Sequence, residues 1–302
     1  MQLTLATRSS ALARWQTARV IQLLQVAHPG LECREHVITT TGDHVPDHPL
    51  PEIGGKGLFT HELEEALLSG EVHAAVHSLK DLPVEDTPGI VVAAIPEREA
   101  AYDVLVSAQG WTSSSLPDGA RVGTCSVRRA AQLLARRPDL TILPLRGNVD
   151  TRVRKVLNGE YDAIVLAQAG LIRLGLEQYI SEVFSLDIML PAPGQGALAV
   201  QCRADDLETL ELLSAIHDPV TAAAVDAERA FLFGLGGGCA LPIAAFAEKQ
   251  DDTIILTGAV LSTDGKHVIS LSAVDTESRR LGQRLAELVL ERGAAELLKV
   301  NV

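Results

Sequence analysis

Aromatic side chains are scarce in this chain. Phe, Trp and Tyr together make up 3% of its 302 residues, although 47% of the residues are hydrophobic. Any core must therefore be mainly aliphatic, and a stacking surface for single-stranded nucleic acid would be thin. Basic residues are also in deficit, because the formal net charge is −13 at pH 7. Proteins that bind a nucleic-acid backbone normally present a basic surface, so we predict no nucleic-acid partner.

Long apolar runs and paired cysteine motifs are absent as well. No apolar run approaches the ~18 residues of a membrane helix, and the amino terminus has no basic start followed by an apolar stretch. The four cysteines, Cys33, Cys125, Cys202 and Cys239, show no C-x-x-C spacing, which predicts neither a zinc site nor a disulfide framework. We expect a soluble, cytoplasmic protein with reduced thiols, no metal and no membrane partner. No apolar surface helix is spare, so we expect a monomer.

Short apolar runs alternate with helical periodicity through the first two thirds of the chain, and this rhythm predicts α/β lobes with a largely parallel second sheet. The predicted strands are 3–7, 33–40, 74–76 and 90–95, then 104–107, 121–124, 141–145 and 163–167. A strand at 197–201 and a helix at 207–216 lack partners in the second lobe. We predict that they return to the first sheet, which would give two lobes with a hinge and a cleft.

The last third has a different pattern. A helix at 220–233 precedes strands near 243–247, 253–261 and 267–273 and a helix at 277–292. Thr263-Asp264-Gly265-Lys266 is typical of a hairpin turn. We predict a small α+β domain with a three-stranded antiparallel sheet. The predicted domains are 1–98 with 196–216, then 102–192, then 219–302.

The stretch Ser78-Leu79-Lys80-Asp81-Leu82-Pro83 follows the buried run Ala74-Ala75-Val76. Pro83 prevents a long helix, so the polar side chains must lie on a loop or a very short turn at the carboxyl end of a strand. Ligands bind at that end in open α/β sheets. A surface turn with a local ion pair would have the same sequence, and this stretch alone favours that interpretation.

Cations recur where strands end and helices begin, often next to a serine helix cap such as Ser10 or Ser126. The guanidinium fork of arginine matches a carboxylate in two parallel hydrogen bonds. One such motif is typical of surface salt bridging, but two in one lobe, facing the same end of its sheet, favour a polyanionic ligand. The cations in question are Arg8, Lys56, Arg128, Arg129, Arg146 and Arg152.

Cys239 ends the run Leu235-Gly236-Gly237-Gly238, on a backbone too permissive for a regular element. A loop cysteine flanked by glycines is more typical of sulfur chemistry than of packing. No histidine stands in an obvious relation to it. It is therefore either a catalytic nucleophile or a covalent anchor.

Taken together, the motifs resemble those of the porphobilinogen deaminase (hydroxymethylbilane synthase) family. They cover essentially the whole chain in the family's order: R-S-S-A-L-A, G-G-K-G-L-F, H-S-L-K-D-L-P, G-T-C-S-V-R-R, L-R-G-N-V-D-T-R, Y-D-A-I-V-L-A, P-G-Q-G-A and G-G-G-C. The resemblance implies two lobes like those of periplasmic binding proteins, a third small domain and an enzyme of haem and tetrapyrrole biosynthesis. Such an enzyme joins four porphobilinogen molecules head to tail on a dipyrromethane cofactor, releases ammonia, and frees hydroxymethylbilane by hydrolysis.

The resemblance also implies roles for individual residues. Cys239 would hold the dipyrromethane through a thioether, and Asp81 would be the catalytic carboxylate, stabilising the positive charge that develops when ammonia leaves. The residues implied to bind the cofactor are Ser10, Lys80, Ser126, Arg128, Arg129 and Arg146. The residues implied to bind the substrate are Arg8, Lys56, Phe59, Ser78, Arg152, Arg173 and Gln195.

A two-lobed binding protein that holds an organic acid and performs no chemistry is the competing hypothesis. It accounts for the lobes and the cations. It does not account for Cys239 or Asp81.

Overall fold

A computed structural model of the chain describes residues 2–40, 60–238 and 241–299. The chain forms two compact units, Met1–Glu99 with Ala197–Ala222 and Ala100–Gly196 with Ala223–Val302. Both are built from helices and sheets, and the chain passes twice from one unit to the other before residue 200. The predicted division into three domains stays a prediction.

The first unit contains a five-stranded sheet of order β2-β1-β3-β10-β4. Its strands are β1 (Gln2–Arg8), β2 (Glu32–Ile38), β3 (Ala74–Ser78), β4 (Ile90–Ala94) and β10 (Leu198–Arg203). Strands β1, β2 and β3 are parallel, whereas β10 runs antiparallel to both β3 and β4. The predicted return of the strand near residue 197 to the first sheet is thus confirmed.

Helices cover both faces of this sheet, because the side chains of each strand alternate between its two sides. Helices α1 (Ala11–Ala27) and α6 (Leu207–Ser214) pack on the face of Leu3, Leu5 and Val76. Helix α2 (His61–Leu68) packs on the other face, against Ala6 and Ala75. This is a doubly wound α/β arrangement.

The second unit contains another five-stranded sheet, of order β7-β6-β8-β5-β9. Its strands are β5 (Asp103–Val106), β6 (Arg121–Gly123), β7 (Thr141–Leu143), β8 (Ala163–Ala167) and β9 (Ile180–Val183). Strand β6 is parallel to β7 and β8, as predicted, whereas β5 runs antiparallel to β8 and β9. Strand β9 was not predicted from the sequence. Helices α3 (Val127–Arg136), α4 (Val149–Leu157) and α5 (Gln168–Leu174) provide buried side chains for the two faces.

The same unit carries the predicted antiparallel sheet, formed by β11 (Ile243–Gln250), β12 (Thr253–Leu261) and β13 (Val268–Asp275). Helices α7 (Pro219–Gly234), α8 (Ser278–Glu291) and α9 (Ala294–Lys299) complete the chain. Phe231, Leu256 and Leu285 belong to their shared core. The fold class predicted from the sequence, α/β lobes with a C-terminal α+β part, is confirmed.

None of the helices within the described ranges is long and apolar enough to cross a lipid bilayer.

Candidate functional site

The turn after β3 presents the polar side chains of the H-S-L-K-D stretch. Strand β3 is the central strand of its sheet and is buried from Ala74 to His77. A single turn of 3₁₀-helix, Leu79–Asp81, follows at once, closed by a 3.2 Å hydrogen bond from Leu82 N to Leu79 O. Leu79 and Leu82 are buried, whereas Asp81 is exposed. The predicted short turn at a strand end is confirmed, and its apolar anchors direct Asp81 toward solvent.

Arg8 and Ser10 lie beside this turn because β1 is the parallel neighbour of β3. Ser10 is the N-cap of α1, and its Oγ accepts a 3.3 Å hydrogen bond from Ala13 N. Buried Gln16 of the same helix donates a 2.8 Å hydrogen bond from Nε2 to Ser78 Oγ. Helix α1 is therefore attached to the end of β3. The role of Gln16 could not be predicted from the sequence, because its partner Ser78 lies 62 residues away.

His77 is a buried imidazole directly before Ser78 and is 5% exposed. Burial, opposed by Gln201 and reinforced by the positive charge of Arg8, lowers its pKa to about 4. Gln201 is near enough to act on that pKa, yet neither His77 Nε2 nor Gln201 Oε1 makes a hydrogen bond of normal geometry. Gln201 Nε2 donates to Glu64 Oε1 at 3.2 Å. His77 is therefore neutral near pH 7.

The cations of the second unit follow three adjacent parallel strands. Ser126, Arg128 and Arg129 come after β6, Arg146 and Arg152 after β7, and Arg173 after β8. The carboxyl ends of parallel strands lie at one edge of a sheet, so the structure brings these segments to the same edge, as predicted. Ser126 caps α3 by accepting a 3.4 Å hydrogen bond from Arg129 N.

Arg128 and Arg129 are buried, and both bind the carboxylate of Asp103. Arg128 Nη1 lies 2.7 Å from Asp103 Oδ2, and Arg129 Nε lies 2.9 Å from Oδ1. Burial alone would raise the pKa of the Asp103 carboxyl, but the two arginines outweigh it and hold that pKa at about 2. Burial in turn lowers the pKa of Arg128. The pair is thus part of a buried ionic cluster, not a set of solvated surface cations.

The remaining predicted residues differ in exposure. Arg146 is half-buried, and Arg152 donates a 2.7 Å hydrogen bond from Nε to Gly147 O. Arg173 is buried and donates from Nη2 to Gly196 O at 2.6 Å. Gln195 is fully buried, and its Nε2 donates to Ala101 O at 2.7 Å.

Two models of one known protein family match the chain over most of its length. Residues 3–211 match the family model described as porphobilinogen deaminase, dipyromethane cofactor binding domain. Residues 222–291 match the porphobilinogen deaminase C-terminal domain. The chain belongs to the porphobilinogen deaminase family. The resemblance inferred from the sequence motifs is therefore confirmed.

Curated porphobilinogen deaminases align over almost the whole chain. The protein from Roseiflexus castenholzii is 50% identical over 297 residues, covering 98% of each chain. The protein from Syntrophotalea carbinolica is 49% identical over 298 residues, covering 98% of this chain and 95% of its own.

Two solved structures that align with the chain are more distant. A VFT2 domain of BvgS from Bordetella pertussis aligns with a TM-score of 0.43 at 18% identity, covering 71% of this chain and 86% of its own. An arginine-specific periplasmic binding protein from Salmonella typhimurium aligns with a TM-score of 0.40 at 15% identity, covering 73% and 93%.

Three residues that the porphobilinogen deaminase resemblance implicates, Lys56, Phe59 and Cys239, lie outside the described residues. Their roles stay predictions. Within the ranges that the structure describes, no group of three or more His, Cys, Asp or Glu side chains could hold a metal ion.

Asp103 is the chief residue of this region that sequence reasoning missed. It begins β5, a strand with four buried residues, and is itself 0% exposed. The sequence does contain one signal: an aspartate at the start of an apolar run, which needs a cationic partner if the run is buried. The sequence did not show that Arg128 and Arg129 were the partners.

The second unit also contains a cavity of about 520 Å³. It is lined by parts of α3, residues 186–190 and one face of the antiparallel sheet, including Arg136, Leu186, Phe246 and Leu261. None of the residues predicted for the site lines it. The residues predicted for the site therefore lie at the strand ends and not in the lining of this cavity.

Proposed function

We propose that this chain is a porphobilinogen deaminase: a transferase that joins four porphobilinogen molecules head to tail and releases hydroxymethylbilane for tetrapyrrole synthesis. Family membership over nearly the full length supports the activity. The observation that supports the catalytic site is the exposed carboxylate of Asp81 on a turn after the central strand of the first unit's sheet. In the second unit, taken by itself, cations follow three parallel strands. Porphobilinogen bears acetate and propionate groups, so an acidic protein requires such local cations to bind it.

Asp81 is proposed as the catalytic carboxylate. Loss of ammonia from the aminomethyl group of porphobilinogen creates positive charge on the pyrrole and its methylene carbon. An ionised carboxylate held beside the pyrrole N–H stabilises that charge as it develops and can accept a proton. The buried side chains of Leu79 and Leu82 fix the short turn, so Asp81 needs little reorganisation before the reaction.

Lys80, Arg8, Ser10 and Ser78 are proposed to assist on the same edge of the first sheet. Lys80 and Arg8 would provide charge for carboxylates, and the serine hydroxyls would provide hydrogen bonds. Gln16 holds Ser78 in place through the 2.8 Å hydrogen bond already described.

The second unit is proposed to bind the dipyrromethane. The residues present fit such a group, because no described acceptor takes a hydrogen bond from Arg128 Nε or Nη2, and neither atom is among the fully buried atoms without a partner. When bound, the cofactor supplies a nucleophilic pyrrole carbon on which the chain is built. Arg128, Arg129, Arg146 and Ser126 would bind and orient its carboxylates, and Cys239 would anchor it. Arg152, Arg173 and Gln195 are proposed to contact the substrate-derived rings.

We further propose a cytoplasmic monomer that binds neither nucleic acid nor membranes. The net charge of −13 supports the absence of nucleic-acid binding. The three predicted domains, 1–98 with 196–216, 102–192 and 219–302, agree with the separate family models for residues 3–211 and 222–291 in placing a boundary near residue 219. Light scattering on the purified protein would test the monomeric state by measuring its molar mass in solution.

Intact-mass measurement tests the proposed function. The mass of the purified wild-type protein should exceed the sequence mass by two pyrrole units, and Cys239→Ser should abolish that excess. Cys125→Ser, which changes an exposed cysteine of the second unit, is the matched control and should keep it. Incubation with porphobilinogen should release ammonia and a linear tetrapyrrole. A wild type that binds porphobilinogen without releasing ammonia would instead establish the binding-protein hypothesis.

A further inference from the structure

Asp103 lies at the same edge of the second sheet as the arginines. Strand β5 runs antiparallel to β8, and Asp103 is paired with Ala167, the last residue of β8. The first residue of β5 thus reaches the edge at which β6 and β8 end. A fully buried carboxylate there is surrounded by groups predicted to bind a polyanion.

The carboxylate contacts donors from three side chains. Oδ2 accepts from Arg128 Nη1 at 2.7 Å, and Oδ1 accepts from Arg129 Nε at 2.9 Å and forms an ion pair with Arg129 Nη2 at 2.8 Å. Gln195 Nε2 donates to the same Oδ1 at 3.1 Å. Both oxygens are therefore occupied, which fixes the orientation of the carboxylate.

Backbone carbonyls complete the positioning of the two guanidinium groups. Arg128 Nη1 also donates to Leu190 O at 2.6 Å, and Arg129 Nη1 donates to Val165 O at 3.1 Å. On Arg128, Nε and Nη2 have no acceptor among the described residues. These two nitrogens form the edge that binds a carboxylate through two parallel hydrogen bonds.

Gln195 is itself held by its surroundings. Its neighbour Gly194 donates from N to Glu228 Oε2 at 2.6 Å, and the other oxygen of Glu228 accepts from Ala247 N at 2.8 Å. Glu228 is 0% exposed. Glu228 of α7 therefore joins strand β11 to the backbone at Gly194, and the next residue, Gln195, binds Asp103.

Charge balance explains why a carboxylate is needed here. Two adjacent buried guanidinium groups repel each other and are costly to desolvate without a counter-ion. One carboxylate between them leaves one net positive charge on the cluster. That charge remains available for an anionic ligand while the arginines stay in place.

We propose that Asp103 is a positioning residue of the cofactor site: it holds Arg128 and Arg129 so that the Nε–Nη2 edge of Arg128 binds one carboxylate of the pyrrole chain. The inference rests on the proposed function. In this proposal Asp103 does not contact the ligand, and Gln195 helps to hold Asp103 through its hydrogen bond to Oδ1.

The test compares Asp103→Asn with Asp162→Asn, which removes a partly buried carboxylate that pairs with Arg121 of β6 in the same unit. For each variant, intact mass gives the fraction of folded protein that carries the two-pyrrole excess. Because Asp103→Asn removes the negative charge that holds both guanidinium groups, it should lower the loaded fraction about tenfold or more. Asp162→Asn should load like the wild type. Folded Asp103→Asn protein that loads normally would overturn the proposal.

A charge-swapped variant separates position from charge. Asp103→Asn combined with Gln195→Glu keeps the net charge of the cluster but moves the carboxylate to the other side chain. We expect a thermal unfolding midpoint near that of the wild type, together with a low loaded fraction, because Arg128 Nη1 loses its charged acceptor and keeps only the carbonyl of Leu190. Full loading of this variant would show that charge alone suffices and would refute a positioning role. An unmodified wild type would instead refute the proposed function.

Discussion

Two carboxylates, Asp81 and Asp103, illustrate what can be predicted at the scale of single residues. The position of Asp81 on a short turn after a strand could be predicted, because Ser78, Lys80 and Pro83 are its near neighbours in sequence. Asp103 was not predicted, because its partners lie 25 and 26 residues further along the chain. Local sequence reveals a turn and its chemistry, but it does not reveal which distant charges neutralise each other. Arg128 and Arg129 therefore resembled free cations in the sequence, whereas the structure shows them buried against Asp103.

Replacement of Asp81 tests the assigned catalytic role. Asp81→Ala should lower kcat by about 100-fold or more, because it removes the charge that stabilises the developing cation. The side chain is exposed, so the two-pyrrole mass excess and the thermal unfolding midpoint should stay unchanged. Asp86→Ala, five residues on and also exposed, is the control and should retain wild-type kcat. Near-normal ammonia release by Asp81→Ala would assign the charge stabilisation to another group.

At the scale of elements, the sequence predicted which segments form strands better than it predicted their direction. Strand β5 was expected in a largely parallel sheet, yet it pairs antiparallel with both neighbours. An apolar run has the same composition in either direction, and here the chain enters β5 directly after passing from the other unit. Strand β9 was missed because its four residues, I-S-E-V, are too few to show a clear period. The helix caps at Ser10 and Ser126 were predicted because capping depends on adjacent residues.

The hairpin between β12 and β13 provides a test of packing between elements. Gly265 has φ +73°, and a Cβ added there would lie 2.5 Å from Ala131 O of α3. Gly265→Ala should therefore lower the free energy of unfolding both by backbone strain and by forcing the hairpin away from that helix. Gly110 has φ +69° with nothing within 4 Å of an added Cβ, so Gly110→Ala measures the strain alone. We expect Gly265→Ala to cost about 1–3 kcal/mol more than Gly110→Ala in urea unfolding. Equal losses would show that the close approach does not exist in solution.

At the scale of the whole molecule, the two five-stranded sheets repeat one topology. In each, three parallel strands are followed by an antiparallel strand, β10 or β5, which the chain enters after passing from the other unit. Cations follow the parallel strands in both sheets, so each sheet concentrates positive charge at one edge of a protein whose net charge is −13. The alternating pattern of strands and helices made the two lobes predictable. The burial of charged and titratable groups such as His77 and Asp103 was not predictable, because it depends on the packing of segments distant in sequence.

Those buried groups predict that acid destabilises the whole molecule in two steps. His77 has a pKa of about 4 in the folded state, mainly because it is buried, against about 6.5 when unfolded. Between these values the unfolded chain binds a proton that the folded chain does not, so the free energy of unfolding falls as pH falls from about 6.5 to about 4. Asp103 keeps its pKa at about 2 in the folded state through Arg128 and Arg129, which outweigh its burial. Its stabilising contribution is present above the unfolded value of about 3.9 and is lost as pH falls toward 2.

His77→Gln should remove the first step and leave the second. Urea unfolding at intervals from pH 7 to pH 4 should show the wild type losing on the order of 3 kcal/mol more than the variant, as expected for a shift between pKa values of about 6.5 and about 4. The comparison uses the slope of the free energy of unfolding against pH and not its absolute value, because glutamine also changes packing at this buried position. His267→Gln, at an exposed histidine, is the control and should keep the wild-type slope. If His77→Gln loses stability as steeply as the wild type over this range, another group takes up the proton, and the imidazole beside Arg8 is not held neutral by the fold.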